Sequence, residues 1–401
     1  MGFFDWMGQF LPKNRNKGNS NYTYSRSYGS SPLANVYEDD YVLAAIHAIT
    51  SEVSKMVVKS VLVSKTDVKE NKDSINRLFF SKPNELMTMR DMLEWTSYQL
   101  ETKMNAYWYP VFEESIYTNG RKIRKLLAIY PLNSTIEEMV RQNDEWYIVF
   151  QMDTGTTYKI LYKDVIHFRK HFGKNYYFGS VDRTRLLERL NIIKETEKLL
   201  PKAIAASLEL KGVIVAKSQM ARSNLDAYRD EFEASMAKST KGIVPVGVDG
   251  EFTAVNNNPQ IVDKDLLKAF KDTVNDDFGV SDAIIAGKGT ENDWNSLYQR
   301  NVEPFKIQLE QAATQILFTD FEREQGKRIK VYDKLVQNFT METRLRMVEL
   351  LGQKNYLSRS EQRELIGYEP DGGPDRVSLN FVNEANLDEY QLQQSKSKQK
   401  G

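Results

Sequence analysis

The chain has 401 residues, of which 41% are hydrophobic and 27% are charged, a composition typical of a globular protein with two or three packed units. Its 55 lysine and arginine residues balance 55 aspartate and glutamate residues. This balance disfavours tight, static binding to nucleic acid, because such binding depends on neutralising phosphates. The absence of cysteine excludes disulfides, thiolate metal sites and cysteine nucleophiles, and no apolar run approaches the length of a membrane span.

The first 33 residues carry no core-forming pattern. Residues 12–33 are rich in asparagine, serine, glycine and tyrosine, a composition that favours a flexible N-terminal arm over residues 1–33. The arm is basic, which suits contact with DNA, with a neighbouring subunit or with a scaffold, although plain disorder explains the composition equally well. Its cations are Lys13, Arg15, Lys17 and Arg26.

A mixed α+β unit is predicted over residues 34–183. Apolar residues at helical spacing predict a helix at about 40–58, and Thr88 is expected to cap a second helix at 89–102. Short β-branched and aromatic runs around these helices predict strands. The predicted strands are 61–63, 106–112, 125–130, 146–152, 157–161 and 165–168.

Two long helical patterns then enclose a small insert. The first pattern covers 184–210 and is interrupted by Pro201, and the second lies within 261–280. Long helices on a stalk cannot bury their apolar faces alone, so the pattern indicates an oligomer. The insert, 211–260, contains a predicted helix at 222–237 and predicted strands at 212–216, 242–246 and 252–255.

The segment 281–296 is polar, contains glycine and lies between two helical patterns. Polar loops between long helices are frequently functional, and this one has no nucleophile–base pair and no cluster of metal ligands. We interpret it as a contact surface, with a solvated surface loop as the alternative. Its candidate contact residues are Lys288, Thr290, Glu291, Asn292, Asp293 and Asn295.

Beyond this segment, a long helix at about 295–324 carries Pro304, and a short strand is predicted at 329–332. Two C-terminal helices follow, at 340–352 and 359–365. The end of the chain is rich in glutamine, serine and lysine, so residues 381–401 are expected to form a disordered tail.

Motifs typical of enzymes are weak throughout the chain. His167 and His171 are four residues apart, but no carboxylate lies within the pair and two cations do, so a structural role is favoured over a metal site. The run Gly247–Gly250 lacks the Walker pattern and fits a hairpin turn better. No Gly-x-Ser-x-Gly elbow occurs, so a hydrolytic triad is not supported. We expect neither catalysis nor a bound cofactor.

Several short motifs occur in an order that resembles the portal proteins of long-tailed bacteriophages. The resemblance covers about residues 40–380 and departs from the family's pattern at two places. Met104-Asn105 stands where Gly-Asn is usual, and Ser281-Asp282 stands where prolines are frequent. The matching motifs are Pro83–Thr88, Asn105–Tyr109, Asp164–Phe168, Phe278–Val280, Asn301–Pro304, Leu357–Arg363 and Gly367–Gly373.

The resemblance implies an α+β portal fold, assembled in the host cytoplasm as a ring, typically a dodecamer, and located at one capsid vertex of the virion. The long helices would be its stem and the insert its clip. The implied divisions are a wing at 34–183, stem helices at 184–210 and 261–280, a clip at 211–260, a tunnel loop at 281–296, a kinked helix and strand of the wing at 297–335, and a crown at 336–380.

The resemblance also implies partners. Double-stranded DNA would pass through the ring with weak contacts independent of sequence, and the clip would bind the large terminase subunit and later the head–tail adaptor. Major capsid and scaffolding proteins would surround the ring, and no membrane is involved. The stem residues expected to line the channel are Lys264, Lys268, Lys271 and Asp272, and the clip residues expected to contact partners are Arg222, Asp226, Arg229 and Glu233.

Other interpretations stay open at this stage. The charged stem residues fit an ordinary solvated helix face, with pairs such as Lys268–Asp272, as well as they fit a channel wall. A metal-dependent phosphoryl or nucleotidyl enzyme could use Asp276 and Asp277 with magnesium, although no convergent acids on separate strands are evident. A scaffold or adaptor protein without a channel is the third possibility.

Overall fold

The computed structural model describes residues 22–27, 37, 39–64, 68–116, 122–151, 155–173, 176–208, 212–216, 222–238, 250–254, 264–333, 339–354 and 356–369. The chain divides into two compact units. The body unit comprises Met1–Asp182 with Asn275–Gly401, and the insert unit comprises Arg183–Val274. Within the described ranges, no helix combines the length and the apolar character that a bilayer crossing requires.

The first part of the body unit alternates helices with antiparallel strands. Its helices are α1 (Asp40–Val53), α2 (Ser74–Phe80) and α3 (Met89–Lys103). Its strands are β1 (Tyr22–Ser27), β2 (Val57–Val63), β3 (Val68–Glu70), β4 (Asn105–Ile116), β5 (Lys122–Leu132), β6 (Ile136–Gln142), β7 (Glu145–Gln151), β8 (Thr157–Leu161) and β9 (Ile166–Arg169).

The insert unit is built on two long helices. In chain order its elements are α4 (Thr184–Leu208), β10 (Gly212–Ala216), α5 (Arg222–Lys238), β11 (Gly250–Ala254) and α6 (Lys264–Phe278), whose last turn belongs to the body unit. Strands β10 and β11 pair antiparallel. Helix α4 runs through Pro201 without ending, and from Lys194 to Lys202 it buries no side chain.

The chain then returns to the body unit through shorter helices. These elements are α7 (Asp282–Ile285), α8 (Glu291–Leu297), a π-helical turn (Tyr298–Val302), α9 (Glu303–Leu317), α10 (Asp320–Glu324), β12 (Lys327–Tyr332), α11 (Met341–Gln353) and α12 (Arg359–Leu365). Pro304 lies in the first turn of α9, where a residue without an N–H leaves no hydrogen bond unmade.

In the described part of the body unit, the strands form three antiparallel sheets, with strand orders β1-β6-β7-β8, β5-β4-β9 and β12-β2-β3. Large apolar side chains from the first two sheets share one core, which includes Tyr107, Phe150 and Ile160. A second group of aromatic contacts links β4 to β9 and α9. Trp108 meets Phe168 edge-on at 4.9 Å, and Phe168 lies 5.7 Å from Phe305 between ring centroids.

Most predicted elements of the body and insert units are confirmed, including the Thr88 cap. Thr88 and Asp91 form a reciprocal capping box at the start of α3. Helix α1 ends earlier than predicted, at Val53, because Val57 and Val58 pair with Tyr332 and Val331 in a sheet. The predicted strand at 242–246, the turn at 247–249 and the tail at 381–401 lie outside the described residues.

The prediction of a flexible arm is wrong for one part of residues 1–33. Residues Tyr22–Ser27 form β1, which pairs antiparallel with β6 from Ile136 to Arg141. The alternating sequence YTYSRS suits an edge strand, and strand β6 supplies the hydrogen-bonding partner that the sequence did not reveal. The remainder of the arm, including Lys13, Arg15 and Lys17, lies outside the described residues.

The predicted helix at 295–324 is also wrong as one element. It is divided into α8, the π-helical turn, α9 and α10. Phe318 adopts an extended backbone conformation with its side chain buried, and Thr319 starts α10 through a capping box with Glu322. Burial of Phe318 and the new cap together end α9 at Leu317.

Candidate nucleic-acid interface

The segment 281–296 is more helical than its polar sequence predicts. Ser281 caps the single turn α7, Gly287 follows with a left-handed φ of +69°, and Thr290 starts α8. The turn is closed by a hydrogen bond of 2.7 Å from the Lys288 N–H to the Ala283 carbonyl. The exposed turn is therefore confined to Ala286–Thr290, and the prediction of a loop is wrong for Glu291, Asn292 and Asp293, which lie in α8. Asn295, where the next helix was predicted to begin, also lies in α8.

Two of the three acidic residues of the segment, Glu291 and Asp293, have structural partners. The Asp293 carboxylate accepts hydrogen bonds from the N–H of Thr290 at 2.8 Å and from its hydroxyl at 2.7 Å. These bonds hold the pKa of Asp293 below its ordinary value. Such a reciprocal cap fixes the direction in which α8 leaves the turn.

Glu291 joins the segment to the C-terminal helices. Its carboxylate accepts a hydrogen bond of 2.7 Å from the N–H of Thr340, the N-cap of α11. This backbone bond is the main reason that the pKa of Glu291 is lowered. Because the pKa is depressed in the folded chain, this stabilisation is complete above the ordinary pKa of glutamate and is lost as pH falls through the lowered value.

The remaining predicted contact residues are open to solvent to different degrees. Lys288, Thr290 and Asn292 are exposed, and Asn295 is half-buried. Lys288 forms no ion pair with any described residue, so its ammonium is available for a phosphate. The carboxylates of Glu291 and Asp293, whose pKa values are lowered further by their hydrogen bonds, are charged near neutral pH, which limits the net attraction of the segment for DNA.

The end of α6, just before the segment, is clamped by side chains from the π-helical turn. Gly279 adopts a φ of +68°, and the N–H groups of Gly279 and Val280 bond to the carbonyls of Asp276 and Asn275, which is a Schellman motif. Arg300 donates to the Asp276 carbonyl at 2.8 Å. A π-helical turn inside a helix is frequently a functional feature.

Asn301 extends this clamp into the body unit. Its amide donates to the Phe278 carbonyl at 3.0 Å, and its Oδ1 accepts from Lys170 Nζ at 3.0 Å. Lys170 in turn forms an ion pair of 2.5 Å with Glu101 of α3, whose side chain is only 4% exposed. One buried chain of contacts thus connects the base of the segment with α3 and the end of β9.

A matched pair of glycine variants tests the clamp. Gly279→Ala is expected to destabilise the body unit by about 2–3 kcal/mol, since a left-handed non-glycine residue costs about 1–2 kcal/mol and a displaced hydrogen bond about 1 kcal/mol more. The added Cβ would lie 2.3 Å from Arg300 Cδ. Gly287→Ala has the same backbone strain but open space around its Cβ. Urea unfolding should therefore rank Gly279→Ala as the more harmful, and equal effects would contradict the clamp.

The predicted stem residues lie on α6, where one of them, Lys271, contacts the other long helix of the insert unit. Lys271 lies 3.4 Å from Glu197 of α4 within the insert unit. Lys268 is exposed and Asp272 is half-buried, while the side chain of Lys264 lies outside the described part. The contact of Lys271 with α4 makes Lys268 and Asp272 the better candidates for a channel wall, which stays a prediction.

Two of the predicted clip residues, Asp226 and Glu233, lie beside a third, Arg229 of α5. Arg229 forms an ion pair of 2.6 Å with Asp230 and lies 3.7 Å from Asp226 and 3.9 Å from Glu233. Its pKa is raised, mainly by Asp230. Sequence reasoning missed Asp230, although its helical spacing from Asp226 places both on one face. The side chain of Arg222 lies outside the described part.

His167 has a structural environment. It is buried in β9, stacks on Tyr107 with ring centroids 4.3 Å apart, and contacts Tyr162 Oη at 3.0 Å and Asn105 Oδ1 at 3.1 Å. Burial lowers the pKa of His167 well below its ordinary value, so the ring is neutral. Among the described residues, no group of three or more histidine or acidic side chains is arranged to hold a metal ion.

Comparison with known proteins adds two findings. A family model described as "Phage portal protein" matches residues 41–367, whereas no curated protein matches the chain. Solved structures share the fold at low identity. The chain is similar to one described as "Neck of native GTA particle computed with C12 symmetry", at 14% identity and a TM-score of 0.57, over 86% of this chain and 96% of that chain.

A second similar structure is described as "Virion of native gene transfer agent (GTA) particle". Its identity to this chain is 14% and its TM-score is 0.57, with coverage of 88% of this chain and 97% of that chain. At this identity the likeness shows a common fold. The alignment covers nearly the full length of both similar structures.

Proposed function

The chain belongs to the phage portal protein family, and on that premise we propose that its copies close into a ring whose axial channel carries the genome during packaging and ejection. Portal proteins are structural components of the virion at the capsid vertex. The observation that carries the proposal is the family match over residues 41–367. The similar neck structure described with C12 symmetry supports a dodecamer.

Exposed apolar surface in the C-terminal helices supports assembly. Neither α11 nor α12 buries a single residue, yet α11 carries three large apolar side chains that are each about half exposed. Large apolar side chains that a helix leaves half exposed are stabilised when another surface packs against them. In a ring, a neighbouring copy of the same chain provides that surface. The three side chains are Met341, Leu345 and Leu350.

Within the ring, we assign the segment 281–296 to the channel as the tunnel loop. Lys288 is its available cation, and the charged carboxylates of Glu291 and Asp293 keep DNA contact weak. Weak contact suits a conduit, because each phosphate that is firmly neutralised adds to the affinity that translocation must overcome. The segment then touches double-stranded DNA without sequence preference.

The other predicted divisions and partners belong to the same proposal. We assign residues 184–210 and 261–280 to the stem and 211–260 to the clip. Residues 34–183 and 297–335 form the wing, and 336–380 form the crown. The clip, with the charged face of α5, is the docking site for the large terminase subunit and then for the head–tail adaptor. The wing and crown face the major capsid and scaffolding proteins, and assembly takes place in the host cytoplasm.

The alternative of a magnesium-dependent enzyme gains no specific support. Asp276 and Asp277 are exposed at the end of α6, and the carbonyl of Asp276 serves the Schellman motif and Arg300. Two-metal chemistry needs carboxylates that converge from separate elements on a common site. In the portal family, the energy for packaging comes from a separate terminase ATPase, so we propose that this chain is not itself catalytic.

A charge introduced at the exposed Leu345 of α11 tests the ring. Leu345→Asp is expected to weaken each subunit contact by about 1.5–3 kcal/mol, the value of burying one leucine, and to shift the protein from rings to smaller species. Mass photometry measures the species directly, and circular dichroism checks that the chain stays folded. Gln353→Asp adds the same charge at a polar, exposed site of the same helix and should leave the rings intact.

Two outcomes of this experiment would count against the proposal. Rings of Leu345→Asp as stable as those of Gln353→Asp would remove α11 from the subunit interface. A wild-type protein that remains monomeric at micromolar concentration would contradict the ring itself.

A further inference from the structure

A cleft of about 590 Å³ lies in the body unit, bordered by α2, β4, β5, α9, α10 and β12. It shares no lining residue with the segment 281–296. Its volume is within the range of sites that hold small molecules or short peptide segments. Apolar side chains that are almost fully buried form part of its wall, namely Ile75, Leu126, Leu317 and Phe318.

Positive charge dominates this cleft, although the whole chain is neutral. Five cationic and two acidic side chains line it. Three of the cations form no ion pair with any described residue. The unpaired cations are Lys72, Arg77 and Arg124. Lys125 forms an ion pair with Glu113, and Lys327 forms one with Glu322.

Both acidic residues of the cleft are used for other contacts. Asp73 caps α2 by accepting from the Asn76 N–H at 2.9 Å, and it accepts from the Ser60 hydroxyl at 2.7 Å. Glu322 accepts from the Thr319 N–H at 3.0 Å and from Lys327 Nζ at 2.9 Å. Neither carboxylate forms an ion pair with Arg77 or Arg124 among the described residues, and two carboxylates cannot balance five cations. The lining therefore carries surplus positive charge.

An aromatic ring in the cleft orients the guanidinium of Arg124. Its guanidinium lies over the ring of Phe112, with 4.6 Å between the carbon and the ring centroid. Stacking fixes the plane of a guanidinium while its N–H groups remain available in that plane, an arrangement suited to bidentate recognition of carboxylate or phosphate.

We propose that this cleft binds an acidic peptide segment of a protein partner, with carboxylates at Arg77 and Arg124 and an apolar side chain against the wall. A DNA duplex is too wide to enter a cleft of this size. Single-stranded nucleic acid needs open aromatic faces on which its bases stack, whereas Arg124 covers Phe112, and Phe318 is only 2% exposed. An extended acidic peptide satisfies the charge, the apolar wall and the volume together.

Fluorescence anisotropy of the full chain tests this inference. The probe is a fluorescein-labelled peptide of alternating glutamate and leucine, and the neutral control peptide has glutamine in place of glutamate. The Arg77→Gln/Arg124→Gln double variant should bind the acidic peptide at least about tenfold more weakly than the wild type. Arg90→Gln removes an exposed cation of α3 that does not line the cleft and should bind like the wild type.

The result expected is saturable binding of the acidic peptide that weakens with salt and with the double variant, with little binding of the neutral peptide. No binding at about 100 µM peptide would overturn the proposal, as would equal affinity of the double variant or of the neutral peptide. A single-stranded oligonucleotide that outcompetes the peptide and depends on the same arginines would overturn the assignment to a protein. Because the cleft is formed within one chain, none of these outcomes depends on ring formation.

Discussion

Replacement of Lys170 by methionine is expected to destabilise the body unit by about 3–5 kcal/mol, because it leaves the buried carboxylate of Glu101 without its cation. The side chains of this ion pair are 19% and 4% exposed. The substitution also removes the partner of Asn301 Oδ1, so the clamp on the end of α6 loses one of its supports. Methionine keeps the apolar stem of lysine, which isolates the effect of the charge.

Urea unfolding followed by tryptophan fluorescence measures this effect in the body unit alone, since all five tryptophans lie outside residues 183–274. Lys163→Met is the matched control, because its ion pair with Glu145 is exposed on both sides and exposed pairs contribute little. Glu101→Gln combined with Lys170→Met should recover much of the lost stability, as both charges are then absent. A Lys170→Met variant as stable as Lys163→Met would contradict the buried network.

Removal of the exposed turn is expected to affect DNA transport without affecting assembly. Deletion of residues 287–289 joins α7 to the cap of α8 and retains Thr290, Glu291 and Asp293, whose bonds are structural. The deletion removes Lys288, the available cation of the segment. We expect rings of normal size and a fall in DNA-filled particles of about an order of magnitude or more, since the contacts that engage passing phosphates are lost.

The Lys288→Gln variant separates the effect of the lysine charge from the effect of the shape of the turn. It retains the turn and removes only the cation, so it should reduce the salt sensitivity of DNA retention more than it reduces packaging. Counting full and empty particles by electron microscopy, with ring assembly checked by mass photometry, distinguishes the two effects. Normal packaging by the deletion variant would refute the assignment of this segment to the channel.

Local signals predicted much of the fold, and the same signals would have corrected two of its errors. Thr88 was correctly predicted to start α3, where it forms a capping box with Asp91 three residues later. The same spacing occurs at Thr290–Asp293 and as Thr319-x-x-Glu322. Both are capping boxes, and reading them as such would have placed α8 within the polar segment and ended the long helix before α10.

Strand β6 escaped prediction for a different reason. Its sequence, IEEMVRQ, places a charged residue at a position that faces the core. Glu137 is 2% exposed and accepts hydrogen bonds from the Tyr107 hydroxyl at 2.8 Å and from the Ser134 hydroxyl at 3.0 Å. A buried carboxylate is tolerated only with such partners, and these come from residues that sequence periodicity does not connect.

The clamp at the base of the segment 281–296 could not be predicted from sequence at all. Lys170 lies 69 positions from Glu101 and 131 positions from Asn301. Each residue is an ordinary polar side chain when considered alone, and Asn301 acts from a π-helical turn that no propensity indicates. The surplus charge of the cleft is equally invisible in the sequence, because its cations come from three separate stretches of the chain that only the fold brings together.

The most direct measurement of the central claim is a class-averaged electron micrograph of the purified full-length chain, followed by a reconstruction that locates residues 281–296. We predict a closed ring of identical copies around an open axial hole, with Lys288 from each copy facing that hole. A solitary folded molecule, or a ring in which this segment is buried far from the symmetry axis, would contradict the claim.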